Sequence, residues 1–260
     1  MSSIFAANLF AGKTALITGG GTGIGYAIAE QLGKLGAHII IAARTVDTLK
    51  AAQQRLQADA ISCEIVELNI RDADAVADLF EQLKNQNKLP DIVVNNAGGQ
   101  FEAKAVDISA NGFRSVIDLN LNGTWYMSSN AGKCWIESGI QGSIVNIVLC
   151  CENGLPNMVH AGAARAGVIN MTKSLATEWG AHNIRVNAIA PGTIKTSGLD
   201  QYDQASLLKS VSKLPIARMG TPEEIAQATV YLCSSAASYI TGTVLQVDGG
   251  EHLAVSGPSN

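Results

Sequence analysis

The stretch Thr18-Gly19-Gly20-Gly21-Thr22-Gly23-Ile24-Gly25 constrains this chain more than any other. It follows an apolar run, Ala15-Leu16-Ile17, that reads as a buried strand. It precedes Tyr26 to Leu35, where Ile28, Leu32 and Leu35 recur at helical spacing. Glycines let backbone approach a pyrophosphate closely, and the start of a helix offers free N–H groups and a positive dipole end. A glycine cluster alone marks any tight turn. Strand, glycine turn and helix together read as a dinucleotide cradle.

The rest of the 260-residue chain alternates strand and helix patterns almost without a break, which predicts parallel β-α-β units wound on both faces of one sheet. No Pro/Ser-rich linker or charge block divides the chain, so one domain over residues 1–260 is expected. Its 26 glycines and 47% hydrophobic residues suit close turns around a large core. A net charge of −4 and a pI near 5.6 lack the basic footprint that nucleic acid selects. No apolar run approaches membrane-span length, and Met1 to Leu9 lacks a basic, then long apolar, leader pattern. A soluble cytoplasmic protein is therefore expected, binding neither nucleic acid nor membrane. The five cysteines show no CxxC pair and read as buried, reduced thiols.

Candidate site residues fall at the carboxyl ends of the predicted strands. After His38 to Ala42 stand Ala43 and Arg44. An acid there would bind the ribose 2′-hydroxyl of NAD, whereas an arginine pairs with a 2′-phosphate, so NADP(H) is favoured over NAD(H). Val46 to Ala58 reads as a helix, and Cys63 to Leu68 as a strand ending in Asn69-Ile70. Asp72 is placed to cap the next helix, with Val76, Leu79, Phe80 and Leu83 as its core stripe. Asp91 to Val94 runs into Asn95-Asn96-Ala97-Gly98-Gly99, amides and small residues suited to a turn against a ligand. One long helix is expected from Ala110 to Glu137, with Asn120-Leu121-Asn122-Gly123 as the place for a local break that turns a side chain toward the site. Ser143 to Leu149 and Ile184 to Ala190 read as strands, the second stopped by Pro191-Gly192. Thr193 to Leu214 is long for a passive connection and reads as a substrate lid. Thr221-Pro222-Glu223-Glu224 reads as a capping box opening a helix to Cys233, and Thr243 to Val247 as the last strand.

These motifs, in this order, resemble the short-chain dehydrogenase/reductase family over nearly the whole chain. The carriers are Thr18-Gly-x-x-x-Gly23-Ile-Gly25, Asn95-Asn96-Ala97-Gly98, Asn120, Ile184 to Asn187 running to Pro191-Gly192, and Val247-Asp248-Gly249-Gly250. The resemblance implies a Rossmann-like, doubly wound sheet of seven parallel strands, a nicotinamide cofactor and a homotetramer. It implies cofactor contacts from Gly19, Thr22, Gly23, Ile24 and Gly25 in the glycine turn, and from Asn69, Ile70, Asn96, Ala97 and Gly98 after the middle strands. Arg165, Pro191, Gly192, Ile194 and Thr196 complete that set, with Arg44 at the 2′-position.

The family's catalytic serine, tyrosine and lysine do not recur. Their positions fall at Leu149 (Val148 with a one-residue shift), Ala161 and Arg165. Arg165 keeps the charge to bind ribose, but an arginine with a pKa above about 12 is no titrating relay. An alkoxide forming without an adjacent acid loses roughly 2.7–4 kcal/mol of stabilisation per missing donor, which disfavours ordinary carbonyl reduction. Reduction of an activated C=C bond spreads its charge onto a thioester enolate instead. Asn95 to Phe101 and Val159 to Val168 resemble the branch containing peroxisomal trans-2-enoyl-CoA reductase, with mitochondrial 2,4-dienoyl-CoA reductase more distant. A tyrosine that this branch can carry just beyond falls at Ile169. The candidate substitutes are Asn120 and His160, with Tyr126 assigned to packing and Cys150 and Cys151 to inert thiols. Three readings stay open: an NADPH-dependent reductase of an unsaturated acyl thioester such as an acyl-CoA, an alcohol or 3-oxoacyl oxidoreductase with another proton relay, and a non-catalytic dinucleotide-binding protein. Ser256 to Asn260 carry no peroxisomal tripeptide, so that relative's compartment is not transferred.

Overall fold

The apolar runs pair into one parallel sheet: β1 (Thr14–Thr18), β2 (His38–Ala43), β3 (Cys63–Glu67), β4 (Ile92–Asn95), β5 (Gly142–Ile147), β6 (Ile184–Pro191) and β7 (Val244–Val247). The computed structural model describes residues 4–151 and 153–253. Residues 1–3 of the amino-terminal reading, residue 152 of the loop after β5 and the terminal segment Ser256–Asn260 thus lie outside the described residues. The strand order is β3-β2-β1-β4-β5-β6-β7. β1 pairs with β2 on one side and β4 on the other, so the chain reverses its direction of travel across the sheet there. Ligands of open parallel sheets bind in the crevice at such a switch point, outside the strands' carboxyl ends.

Alternation along each strand divides the core in two. On one face Ala15, Ile17, Ile39 and Ile41 pack against α1 (Gly23–Lys34), α2 (Val46–Ala58) and α8 (Pro222–Cys233), through Ile28, Leu32, Leu49, Leu56, Ile225 and Val230. On the other Leu16, Ile40 and Val93 meet α3 (Ala73–Asn85), α5 (Gly123–Ser138) and α6 (Val159–Trp179), through Val76, Phe80, Met127, Trp135 and Leu175. The predicted caps form: Asp72 accepts from the Ala75 amide, and Thr221 and Glu224 make a reciprocal box at α8. Thr221→Ala removes one of those partners. Thermal unfolding is expected to show a loss of about 1 kcal/mol.

The single helix expected over Ala110–Glu137 is two: α4 (Ala110–Ile117) and α5, joined by a π turn at Asp118–Asn122. The extra residue in that turn rotates Asn120 inward, where it is fully buried. Thr124 Oγ1 donates to the Asn120 carbonyl at 2.9 Å, and Gly123 lies so close to Ile70 that a Cβ would stand 2.7 Å from its side chain. Asparagines at a break were legible; a widened turn rather than a plain kink was not.

The cysteines also need correction. Cys63, Cys134 and Cys233 are buried, but Cys150 and Cys151 are only partly so. Burial pushes the Cys63 thiol up to about 11 and Cys233 to about 12, which keeps both protonated and inert. Among the described residues no helix is long and apolar enough to cross a membrane.

Candidate active site

A cavity of about 480 Å³ opens at the β1/β4 switch point. The glycine turn forms its floor with Gly19, Thr22, Gly23 and Ile24; Arg44 stands at one end, Asn69 and Ile70 on one wall, and Asn96, Ala97, Gly98 and Thr196 toward the other end. Eleven of the predicted cofactor residues thus converge. The turn is held from beneath: Asn96 Nδ2 donates to the carbonyls of Thr18 and Gly19 at 3.0 and 3.3 Å, while Thr18 Oγ1 accepts from the amides of Asn96 and Ala97, each at 3.0 Å. Gly19 and Gly23 take φ of +65° and +53°, which side-chain-bearing residues avoid. Gly25 lies behind this surface, at the close approach of α1 to the turn: a Cβ there would lie 2.3 Å from the Gly19 carbonyl. Thr22 caps α1 without accepting a side-chain bond, so the first amides of the helix face the cavity uncapped by that hydroxyl. The residues present fit a pyrophosphate-bearing cofactor.

Neighbouring asparagines do different work, because successive residues of a strand face opposite sides. Asn95 Nδ2 donates to Ser128 Oγ and Asn146 Oδ1 at 2.9 and 2.8 Å, deep in the sheet. Asn96 braces the glycine turn.

Asn120 and Arg165, predicted for chemistry, do not line the cavity themselves but lie behind its Gly98 end. Asn120 clasps the backbone of Gly99, accepting from its amide at 3.0 Å and donating to its carbonyl at 2.8 Å. Arg165 reaches to the same loop, its guanidinium so near Gly98 that a Cβ there would lie 2.0 Å from Nη2. It is 95% buried by the complement of its 5% exposure, and its Nε and Nη1 find no hydrogen-bond partner. Burial pushes the guanidinium pKa down to about 10, with Cys151 opposing the shift. The expectation that it stays above 12 is therefore corrected, although it remains cationic at neutral pH. Ala161 is fully buried and Leu149 partly exposed; neither offers a hydroxyl.

His160 does not line the cavity. It is fully buried, its Nδ1 accepts from the Ala161 amide at 2.8 Å, and its ring meets Phe101 edge-on at 4.4 Å. Tyr126 packs against the core, as expected. Pro191, Gly192 and Ile194 form the step from β6 into the segment that follows it rather than the cavity wall.

That step is tied to the chain's last strand. Glu251 accepts from the amide and hydroxyl of Thr193 at 2.7 and 3.1 Å, and the Ile216 amide donates to the Gly249 carbonyl at 2.9 Å. Asp248 organises this clamp by accepting from the amides of Gly250 and His252 and from Cys150 Sγ. Both ends of the segment expected as a lid are pinned, and between them lie α7 (Gln204–Val211) and Thr196 to Gly198, which reach the cavity. The Ile184-to-Asn187 motif is structural: Arg185 donates to the carbonyls of Leu232, Ile240 and Cys233 and to Ser143 Oγ, and Asn187 joins Ile240 to Thr243.

With this fold and cradle, the chain belongs to the short-chain dehydrogenase/reductase family. The family model described as enoyl-(acyl carrier protein) reductase matches residues 19–252. The peroxisomal 2,4-dienoyl-CoA reductase of Pongo abelii, named as (3E)-enoyl-CoA-producing, is 40% identical over 256 residues, 96% of this chain and 87% of that protein. A Bacillus subtilis protein named "Probable 2,4-dienoyl-CoA reductase", (2E)-enoyl-CoA-producing, is 35% identical over 246 residues, covering 93% of this chain and 97% of its own. A Beutenbergia cavernae structure, described as an NAD(P) dependent gluconate 5-dehydrogenase with NADP bound at low occupancy, superposes with a TM-score of 0.90 at 33% identity, over 96% of this chain and all of that one. The chain is thus an oxidoreductase of this family, whose cofactors are NAD(P).

Sequence reasoning missed several wall residues, among them the hydroxyl-bearing Thr45, Thr48 and Ser197. Thr45 and Thr48 follow Arg44 into α2, and their place after a strand's carboxyl end was the available signal.

Proposed function

We propose that this protein is an NADPH-dependent reductase of α,β-unsaturated acyl thioesters, of the 2,4-dienoyl-CoA class for which its relatives are named. The observation that carries the reading is a cofactor cradle built out to Arg44 at one end and to Gly98 at the other, where Asn120 and Arg165 lie behind the backbone and positions 149 and 161 offer no hydroxyl. Arg44 and the Thr45 hydroxyl, which is not used to cap α2, would hold the 2′-phosphate. The α1 amino end would hold the pyrophosphate, and Asn69 and Ile70 would flank the adenine.

The bound nicotinamide supplies a hydride. In a conjugated dienoyl thioester, hydride accepted at the δ-carbon pushes electrons through both double bonds onto the thioester oxygen. Protonation by water at the α-carbon leaves a (3E)-enoyl product; protonation at the γ-carbon leaves a (2E)-enoyl product. Neither route localises charge on an alkoxide, so neither demands the acid that Ala161 cannot be. Arg165 is a desolvated cation beside Gly98, where low dielectric strengthens its attraction for the spreading charge. Asn120 fixes the Gly98-Gly99 loop on which that geometry rests.

NADPH oxidation is to be measured with 2,4-hexadienoyl-CoA, crotonyl-CoA, acetoacetyl-CoA and simple ketones. Thioesters with a conjugated C=C bond are expected to be turned over; exclusive turnover of the carbonyl substrates overturns the proposal. Arg44→Ala is expected to weaken NADPH binding by roughly 10- to 100-fold, the range of one charge-assisted hydrogen bond, and to leave NADH binding unchanged. Calorimetry with both dinucleotides measures this directly.

A further inference from the structure

The reaction end retains a charge and an amide but no side-chain O–H from α6. The lid brings one. Tyr202 is half-buried; its phenol oxygen accepts from Gln100 Nε2 at 3.5 Å, and its O–H points to Met158 Sδ at 3.9 Å. Gln100 follows Gly99, whose backbone Asn120 clasps. Met158 is the cap of α6, three residues before Ala161. The phenol therefore bridges the loop that follows β4, next to the Gly98 that lines the cavity, and the start of the helix that in related proteins carries the tyrosine.

Its position is fixed. Gln204 Nε2 donates to the carbonyls of Leu199 and Tyr202 at 2.8 and 3.0 Å, and Asp203 caps α7 through the Ser206 amide. Its other phenolic counterparts sit elsewhere: Tyr26 lies under the Arg55 guanidinium, Tyr126 is in the core, and Tyr231 and Tyr239 are exposed. The Tyr202 proton, by contrast, rests on a thioether, one of the weakest acceptors a protein offers. A carbonyl oxygen entering the mouth would be a much better partner.

We propose that Tyr202 supplies from the lid the hydroxyl absent at Ala161, donating a hydrogen bond to the carbonyl oxygen of a bound acyl thioester. The proton stays on the phenol throughout; no bond to Tyr202 forms or breaks, and the α-carbon proton comes from water. The bond strengthens as charge moves onto that oxygen, so it lowers the barrier more than it tightens the ground state. The inference rests on the thioester reading given above and adds a named donor to it.

Tyr202→Phe removes only the oxygen. Two measurements test it. The first is the carbonyl resonance of [1-¹³C]hexanoyl-CoA, a saturated thioester that cannot be reduced, bound to the NADP⁺ complex. The wild type is expected to move it downfield and the variant to return it toward its free position. The second is kcat/KM for 2,4-hexadienoyl-CoA, expected to fall roughly 100-fold, mostly in kcat, with NADPH affinity unchanged. A variant with the wild-type carbonyl shift, or with the wild-type rate, overturns the assignment. A Tyr202-dependent carbonyl shift in a protein that oxidises NADPH with no thioester would retain the contact and refute the reductase reading.

Discussion

Gly25→Ala is expected to abolish measurable NADPH binding and to lower the melting temperature. The new Cβ would stand 2.3 Å from the Gly19 carbonyl oxygen and 2.5 Å from Asn96 Nδ2. Neither neighbour can yield cheaply. Gly19 is already in a left-handed conformation at φ +65°, and the Asn96 amide is committed to the carbonyls of Thr18 and Gly19. The clash must therefore push α1 away from the turn, carrying its amide-bearing end off the pyrophosphate position. Overpacking of this kind costs typically about 1–3 kcal/mol in stability. Loss of a helix terminus aimed at a phosphate is expected to weaken binding by at least roughly 100-fold in addition. Gly180→Ala is the control: its backbone is not at positive φ and nothing lies within 4 Å of a Cβ there. That variant should bind NADPH and unfold as the wild type does, within about 0.5 kcal/mol.

Arg165→Met is expected to separate stability from turnover, with opposite signs. The wild-type guanidinium is 5% exposed and leaves Nε and Nη1 unpartnered, so folding must strip water from a cation and return little. A methionine fills similar space without charge. Chemical denaturation is expected to show the variant more stable by about 1–2 kcal/mol. The pH dependence carries a sign of its own. Because the folded-state pKa is depressed to about 10, below that of the unfolded chain, the wild type sheds the penalty as pH rises through about 10. The stability advantage of the variant should therefore narrow there. Turnover should fall by roughly 100-fold or more, since the charge facing the developing enolate is gone. Arg165→Lys keeps a cation and should retain far more of the activity than Met. A Met variant with full activity would show that the cation has no part in the reaction.

Much of this was legible in the chain, and for identifiable reasons. Glycines with positive φ and a strand-to-helix step leave a strong local signal, so the glycine turn and the strand ends at Arg44, Asn69 and Asn96 could be read from the chain, and they line one cavity. The capping box at Thr221 was equally plain, because its residue types answer to local backbone groups. The π turn at Asp118–Asn122 was visible only as a suspicious pair of asparagines. Its cause is a tertiary contact, the clasp of Gly99 by Asn120, which no spacing encodes. Burial of Arg165 was illegible for the same reason: an arginine on a helix reads as solvated until Gly98 is known to lie against it. His160 was singled out for a residue type suited to proton transfer, and no spacing told that its ring lies edge-on to Phe101, outside the cavity lining. Tyr202 sits in a lid whose position is set at both ends by Glu251 and Gly249, some fifty and more residues of partnership away in places, as between Thr193 and Glu251 with a separation of 58.

The central claim is that hydride leaves the dinucleotide for conjugated carbon and not for a carbonyl carbon. It is tested most directly by offering limiting NADPH, deuterated at the transferring C4 position, to equal 2,4-hexadienoyl-CoA and acetoacetyl-CoA, and locating the label by NMR. The prediction is deuterium on carbon 5 of a hexenoyl-CoA product and none on a carbinol carbon. Label on the carbinol of hydroxybutyryl-CoA, or no transfer to either thioester by protein that demonstrably holds NADPH, would contradict it.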